Sequence, residues 1–198
     1  TRAQASGLIA AYTQFHLERG LRSVLTDLFH AGLSERGRAR IRAGLTQPWL
    51  GKITSIWSSD ERKAIETAAI VAGAVGLVPI VREDLGENDR SATGYLPFDE
   101  FDRAVDQFFA EPEQSVRGWG TAAAEQQRIV RCFEDIRTAG PDGVPLIVSR
   151  GAVGALLLAY LSRCPVSRIF DQPGNGGGNW FHADERRPAW RPFDGCVR

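Results

Sequence analysis

The sharpest pattern of apolar and polar positions runs from Ile53 to Glu87. A β-branched apolar run, Ile53 to Trp57, ends in Ser58-Ser59 and reads as a short buried strand. Asp60 is placed to cap a helix and Glu61 favours its first turn, because both set negative charge beside exposed backbone N–H groups. Ala64, Thr67, Ala68, Val71 and Val75 then recur at helical spacing, and Gly76 suits the stop. Val78 to Val81 gives a second strand, followed by the polar turn Asp84-Leu85-Gly86-Glu87. The stretch is a β-α-β unit with polar groups at both strand ends, where parallel α/β sheets usually carry their chemistry.

The same reading extends in both directions. Gly7 to Phe15 predicts a first strand with His16-Leu17-Glu18 at its end, and Ser34 caps a helix through about Leu45 whose arginines read as a solvated face. From Asn88 to Pro97 the composition is that of a turn-rich lid. Phe101, Val105, Phe108 and Phe109 then repeat at helical spacing in an acidic helix, a core or lid-packing pattern. Pro112 breaks the chain, and a long helix from about Thr121 to Thr138 buries Ile129, Val130, Phe133 and Ile136. Gly140-Pro141-Asp142-Gly143 turns it into a buried strand, Val144 to Ser149, which ends at Arg150-Gly151. The helix Ala152 to Ser162 is apolar nearly all round, as an internal helix is. Asp171 to Asn179 is glycine-rich but lacks the lysine-serine or lysine-threonine ending of a nucleotide loop, and it feeds a last strand, Trp180 to Ala183.

Composition narrows the function classes. At 198 residues the chain is most simply one domain, residues 1–198, with the lid or insertion region around residues 88–120. Formal net charge is zero, so no global electrostatic case exists for nucleic-acid or membrane-surface partners. Lys52 and Lys63 are the two lysines, and arginine carries the remaining positive charge. Cys132, Cys164 and Cys196 are odd in number and lack metal-ligand spacing, so reduced thiols in a cytoplasmic protein are expected. No apolar run approaches transmembrane length, and the N-terminus lacks a signal-peptide pattern.

Several motifs carry a family likeness. SSDERKAIETA followed by LGE resembles the histidine phosphatase (phosphoglycerate mutase-like) superfamily, where a Ser-Ser strand end leads into a basic helix start closing on Thr-Ala, with a Leu-x-Glu turn downstream. LSERGRARI, from Leu33 to Ile41, is similar to the family's Leu-Thr-x-x-Gly helix, and PLIVSRGAVGALLLAYL, from Pro145 to Leu161, to its second catalytic strand and helix. GENDRSATGYLPFDEF and QPGNGGGNWF extend the likeness over most of the chain.

The resemblance implies a three-layer α/β/α fold with a mostly parallel central sheet. It also implies a site without metal or cofactor, acting on a small phosphorylated substrate or ligand. His16 matches the histidine that accepts the phosphoryl group, although Phe15 stands where the family carries an arginine. Arg62 or Lys63 matches the phosphate-binding cation of the helix start, and the choice between them stays open. Glu87 matches the proton donor, a role that wants a carboxyl raised by burial or by anions such as Glu83, Asp84 and Asp89. The family's second histidine is here Arg150, which offers five donors but a longer and differently aimed group. The implied activity is phosphomonoester hydrolysis through a phosphohistidine on His16, impaired by arginine at that position. The alternative is a catalytically degenerate phospho-ligand-binding or interaction protein. Oligomeric state is not readable from the sequence.

Overall fold

The computed structural model describes residues 8–11, 32–140, 142–174 and 177–195. Strands β1 (Leu8–Ala11), β2 (Ser55–Ser58), β3 (Pro79–Val81), β4 (Pro145–Ser149), β5 (Asn179–His182) and β6 (Arg191–Pro192) form a sheet in the order β3-β2-β4-β1-β5-β6. The first four run parallel, while β5 is antiparallel to β1 and β6 to β5. Helices α1 (Glu35–Gly44), α2 (Arg62–Val75), α3 (Phe98–Ala110), α4 (Ala122–Ala139) and α5 (Gly151–Leu161) cover both faces.

The side chains of β4 show why the sheet needs two covers. Leu146 and Val148 join Ile41 of α1 and Ala64, Ala68 and Val71 of α2 in one cluster. Ile147, between them in sequence, points the other way, into a cluster with Phe108, Ile129, Phe133, Val153 and Leu156 from α3, α4 and α5. A strand buried on both faces is therefore continuously apolar, as its sequence is. Trp180 and Phe181 of β5 divide between the same two clusters. The architecture is the expected three-layer α/β/α arrangement around a mostly parallel sheet.

Two local expectations change, and one strand takes a place the sequence did not specify. The strand after α2 lies at the sheet edge, so Ile80 and Val81 are half exposed. The N-cap of α2 is Glu61, not Asp60, and its side chain makes no cap bond. The arginines of α1 are not uniformly solvated, since Arg38 pairs with Glu66 at 2.6 Å and Arg40 with Asp194 at 2.7 Å. Ser34 caps α1 as expected, accepting from Gly37 N–H at 3.1 Å. Gly76 ends α2 at φ 73°, a left-handed turn that costs glycine nothing. Among the described residues no helix is long and apolar enough to cross a membrane.

Candidate active site

The C-terminal ends of β2 and β4 meet because the two strands are hydrogen-bonded neighbours. Ser58 and Ser59 are fully buried there. The Ser59 hydroxyl donates to Glu61 Oε2, and Glu61 Oε1 accepts from the Glu87 backbone N–H at 2.9 Å. One carboxylate thus ties the end of β2 to the turn carrying Glu87. Arg128 of α4 fixes that turn from the other side, donating to the carbonyls of Asp84 at 2.6 Å and Gly86 at 2.9 Å. The Ser149 hydroxyl at the end of β4 donates to the carbonyl of Leu85 within it. Protein groups thus brace the turn from three sides.

Glu87 faces the N-terminus of α5. Its Oε1 accepts from Val153 N–H at 3.2 Å and its Oε2 from Ala152 N–H at 3.5 Å. These are helix-start N–H groups without intrahelical partners, and a carboxylate suits them electrostatically. Arg90 Nη2 is 3.5 Å from Oε2, and Arg150 Nε is 3.9 Å from the same oxygen and 3.6 Å from Glu61 Oε1. Of the anions expected around Glu87, Asp84 and Asp89 are engaged elsewhere, whereas Glu61 and Asp171 come near it. Asp84 is engaged by Arg82, whose hydrogen bond holds the Asp84 carboxyl below its ordinary range, and Asp89 accepts from Ser91 N–H.

The two cations of the α2 start part company. Arg62 turns outward and donates to Glu66 one helical turn on, at 3.0 Å. Lys63 is 7% exposed, and burial followed by the charge of Arg150 pushes its ammonium down from 10.5 to about 8. Helical geometry decides the difference. Lys63 shares a face with Thr67, next to the Ala64-Ala68-Val71 stripe that packs on the sheet, while the Arg62 side chain is exposed and reaches back to Glu66.

Lys63, Glu87 and Arg150 therefore come together at the strand ends, and Arg62 does not join them. His16 and Phe15 lie outside the described residues, though Ala11 of β1 is in register with Ser149, one residue before Arg150. Four residues that sequence reasoning passed over also belong here. Glu61 bridges Glu87 and Arg150, and Arg90 flanks Glu87 while stacking on Phe101 and Trp119. The Asn88 side-chain amide is buried, with no hydrogen-bond partner for its Nδ2 among the described residues. Gln172 packs so closely on Gly151 that a Cβ there would sit 2.4 Å from its Nε2. Beside Gln172, burial raises the Asp171 carboxyl against the opposing pull of the Gln172 N–H and Arg168, and the charge of Glu87 adds to the rise. The signal for Glu61 and Arg90 was an excess of charge flanking motif positions. Gln172 carries no motif of its own, although the stretch Asp171 to Asn179 that contains it reads from the sequence as a mobile loop edging the pocket.

Chemically, the cluster offers Lys63, Arg150 and Arg90 against two carboxylates at the mouth of a parallel sheet, an arrangement suited to a small anion. Among the described residues no group of three His, Cys, Asp or Glu side chains is placed to hold a metal ion. A hollow lined by Leu45, Gln47, Leu50, Ile53 and Val75 lies at the opposite end of β2 and carries no titratable side chain.

Comparison with known proteins gives the following. The family model described as histidine phosphatase superfamily (branch 1) matches residues 22–193, a stretch that begins beyond His16. Among solved structures, Bacillus stearothermophilus YhfR superposes with a TM-score of 0.71 at 20% identity over 98% of each chain. A mycobacterial glucosyl-3-phosphoglycerate phosphatase gives 0.66 at 25% identity, covering 94% of this chain and 95% of that one. A phosphoserine phosphatase mutant from Entamoeba histolytica, solved with phosphoserine, gives 0.70 at 16% identity over 96% and 97% of the two chains. No curated protein matches the chain.

Proposed function

Because the chain belongs to the histidine phosphatase superfamily, we propose that it hydrolyses phosphomonoesters through a phosphohistidine on His16, with turnover restrained by arginine at position 150. The observation that carries this reading is the buried Lys63 ammonium set against Arg150 at the strand ends, its charged form disfavoured until an anion arrives. A phosphoryl group between the two cations would relieve both the burial and the mutual repulsion. His16 follows Ala11 by five residues, a reach of at most ~18 Å of extended chain from the end of β1.

In the first step His16 nitrogen attacks phosphorus in line, the N–P bond forms and the ester P–O bond breaks. The leaving oxygen takes a proton from Glu87. Water then attacks phosphorus, the N–P bond breaks, and the water proton returns to Glu87. Lys63 and Arg150 neutralise charge on the equatorial oxygens. The substrate class is a small phosphorylated molecule. The scattered cysteines, Cys132 buried among them, suit a reducing compartment such as the cytoplasm.

A second reading, a phospho-ligand binder with little turnover, is favoured by one observation. Among the described residues, the Glu87 carboxylate accepts from the backbone N–H groups of Ala152, Val153 and Asn88 and lies 3.5 Å from Arg90 and 3.9 Å from Arg150. That is the posture of a carboxyl surrounded by donors and cations. Hydrolysis of a generic aryl phosphate by the purified protein, His16→Ala and Arg150→His separates the two. Turnover that vanishes in His16→Ala supports the phosphohistidine enzyme. A melting temperature raised by phosphate or vanadate, with no turnover by the unaltered protein, supports the binder. Neither turnover nor stabilisation removes both readings.

A further inference from the structure

Glu61 lies at the centre of the polar contacts without serving its own helix. It occupies the N-cap of α2 yet makes no side-chain cap bond there. Its Oε2 accepts from the Ser59 hydroxyl, and its Oε1 accepts from Glu87 N–H at 2.9 Å while lying 3.6 Å from Arg150 Nε. Glu87 Oε2 lies 3.9 Å from the same Nε, so the Nε edge of the guanidinium lies between two carboxylates at ion-pair rather than hydrogen-bond distance. Both carboxylates are themselves fixed, one by Ser59 and the Glu87 backbone, the other by the start of α5. A guanidinium is planar, so two fixed negative charges beside one edge bias the direction of its whole fork.

We propose that Glu61 is the positioning residue that allows an arginine to serve at position 150, drawing its Nε edge by charge so that the fork faces the phosphoryl group. The inference rests on the reading of these strand ends as a phosphoryl site. A long, flexible cation can hold developing charge on the equatorial oxygens only if its geometry is set in advance. Holding it this way has a cost in affinity. The Glu61 carboxylate, 3.6 Å from Arg150, competes with any incoming anion for the same charge. The two effects carry opposite signs in kcat and in ligand affinity, which makes them separable.

The test measures inorganic phosphate binding by calorimetry and aryl phosphate kinetics on the whole chain, unaltered and as Glu61→Gln and Glu61→Asp. Glu61→Gln keeps the size and the acceptor for Glu87 N–H but removes the charge. Phosphate is expected to bind at least about threefold tighter, while kcat falls at least about tenfold. Glu61→Asp keeps the charge but withdraws it by one methylene. The expected result is a comparable fall in kcat, with phosphate affinity within about twofold of the unaltered protein. A kcat unmoved in both variants overturns the proposal and leaves the phosphoryl-site reading standing. Parallel loss of phosphate affinity and melting temperature also overturns it, because Glu61 is then only a tie between β2 and the Glu87 turn. Absence of turnover in the unaltered protein overturns it too, and absence of phosphate binding removes the phosphoryl-site reading with it.

Discussion

Lys63 is the side chain whose chemistry is most altered by its surroundings. Burial, then the charge of Arg150, brings its ammonium to about 8, within reach of ordinary assay conditions. A bound dianion would restore the charged form, so binding and protonation are linked. Below pH 8 the free protein already carries the proton and phosphate meets a full cation. Above it, the proton must be taken up on binding, and affinity falls by about tenfold per pH unit until the bound-state value is reached. Calorimetric titration with phosphate between pH 7 and pH 10 reads this directly. Lys63→Arg, which cannot lose its proton in that range, is expected to remove the slope. A slope that persists in Lys63→Arg assigns the titration to another group. Arg62, turned out to Glu66, offers a control: Arg62→Ala is expected to leave phosphate affinity within about twofold, since exposed ion pairs contribute little.

At the scale of elements, the sheet and its covering helices were legible in the sequence because each buried strand and each amphipathic helix announces its own period. The internal α5 and the β2-α2-β3 unit came directly from that pattern. What was not legible depended on residues far apart in the chain. The exposure of Ile80 follows from β3 lying at the sheet edge, which strand order decides and local sequence does not. The contacts of Glu61 depend on Glu87, one crossover on, and on Arg150, two crossovers on. The choice of Lys63 over Arg62 was in principle readable, because Lys63 and Thr67 border the apolar stripe of α2 and Arg62 does not. The docking of α1 was not. Gly44, near its end, meets the ring of Phe193 so closely that a Cβ would fall 1.8 Å from Cδ1. Gly44→Ala is therefore expected to destabilise by about 1–3 kcal/mol in urea unfolding through overpacking, despite the better helix propensity of alanine. In a Phe193→Leu background the same change should cost clearly less, a coupling that a remote effect would not show. Additivity of the two substitutions counts against the ring contact as the cause.

Over the whole molecule, two buried groups on opposite faces of the sheet set the alkaline stability profile, and they act with opposite signs. Lys63 packs on the α1–α2 side, and its folded value of about 8 lies below its ordinary 10.5. Between those values the unfolded chain binds more protons than the folded one, so stability rises with pH across that window. The full rise is about 3 kcal/mol, of which about 1 kcal/mol falls between pH 8 and pH 9. Cys132 lies in α4 on the other side, and burial, with Asp84 and Asp135 opposing Arg82, pushes its thiol from 9.0 up to about 12. Here the folded chain keeps a proton that the unfolded chain has lost, so stability is full below pH 9 and declines as pH climbs toward 12. Separation by the sheet makes the two contributions nearly additive. The urea midpoint is therefore expected to climb from pH 8 to about pH 9 and then to level off as the two slopes cancel. Lys63→Met should flatten the climb and raise stability at pH 7, where the charged lysine is most costly to bury. Cys132→Ala should lower stability roughly uniformly at neutral pH yet let the climb continue to about pH 10.5, because the opposing thiol is gone. A midpoint that climbs identically in Lys63→Met places the titrating group elsewhere, and with it removes the buried-cation argument for an anion at the strand ends.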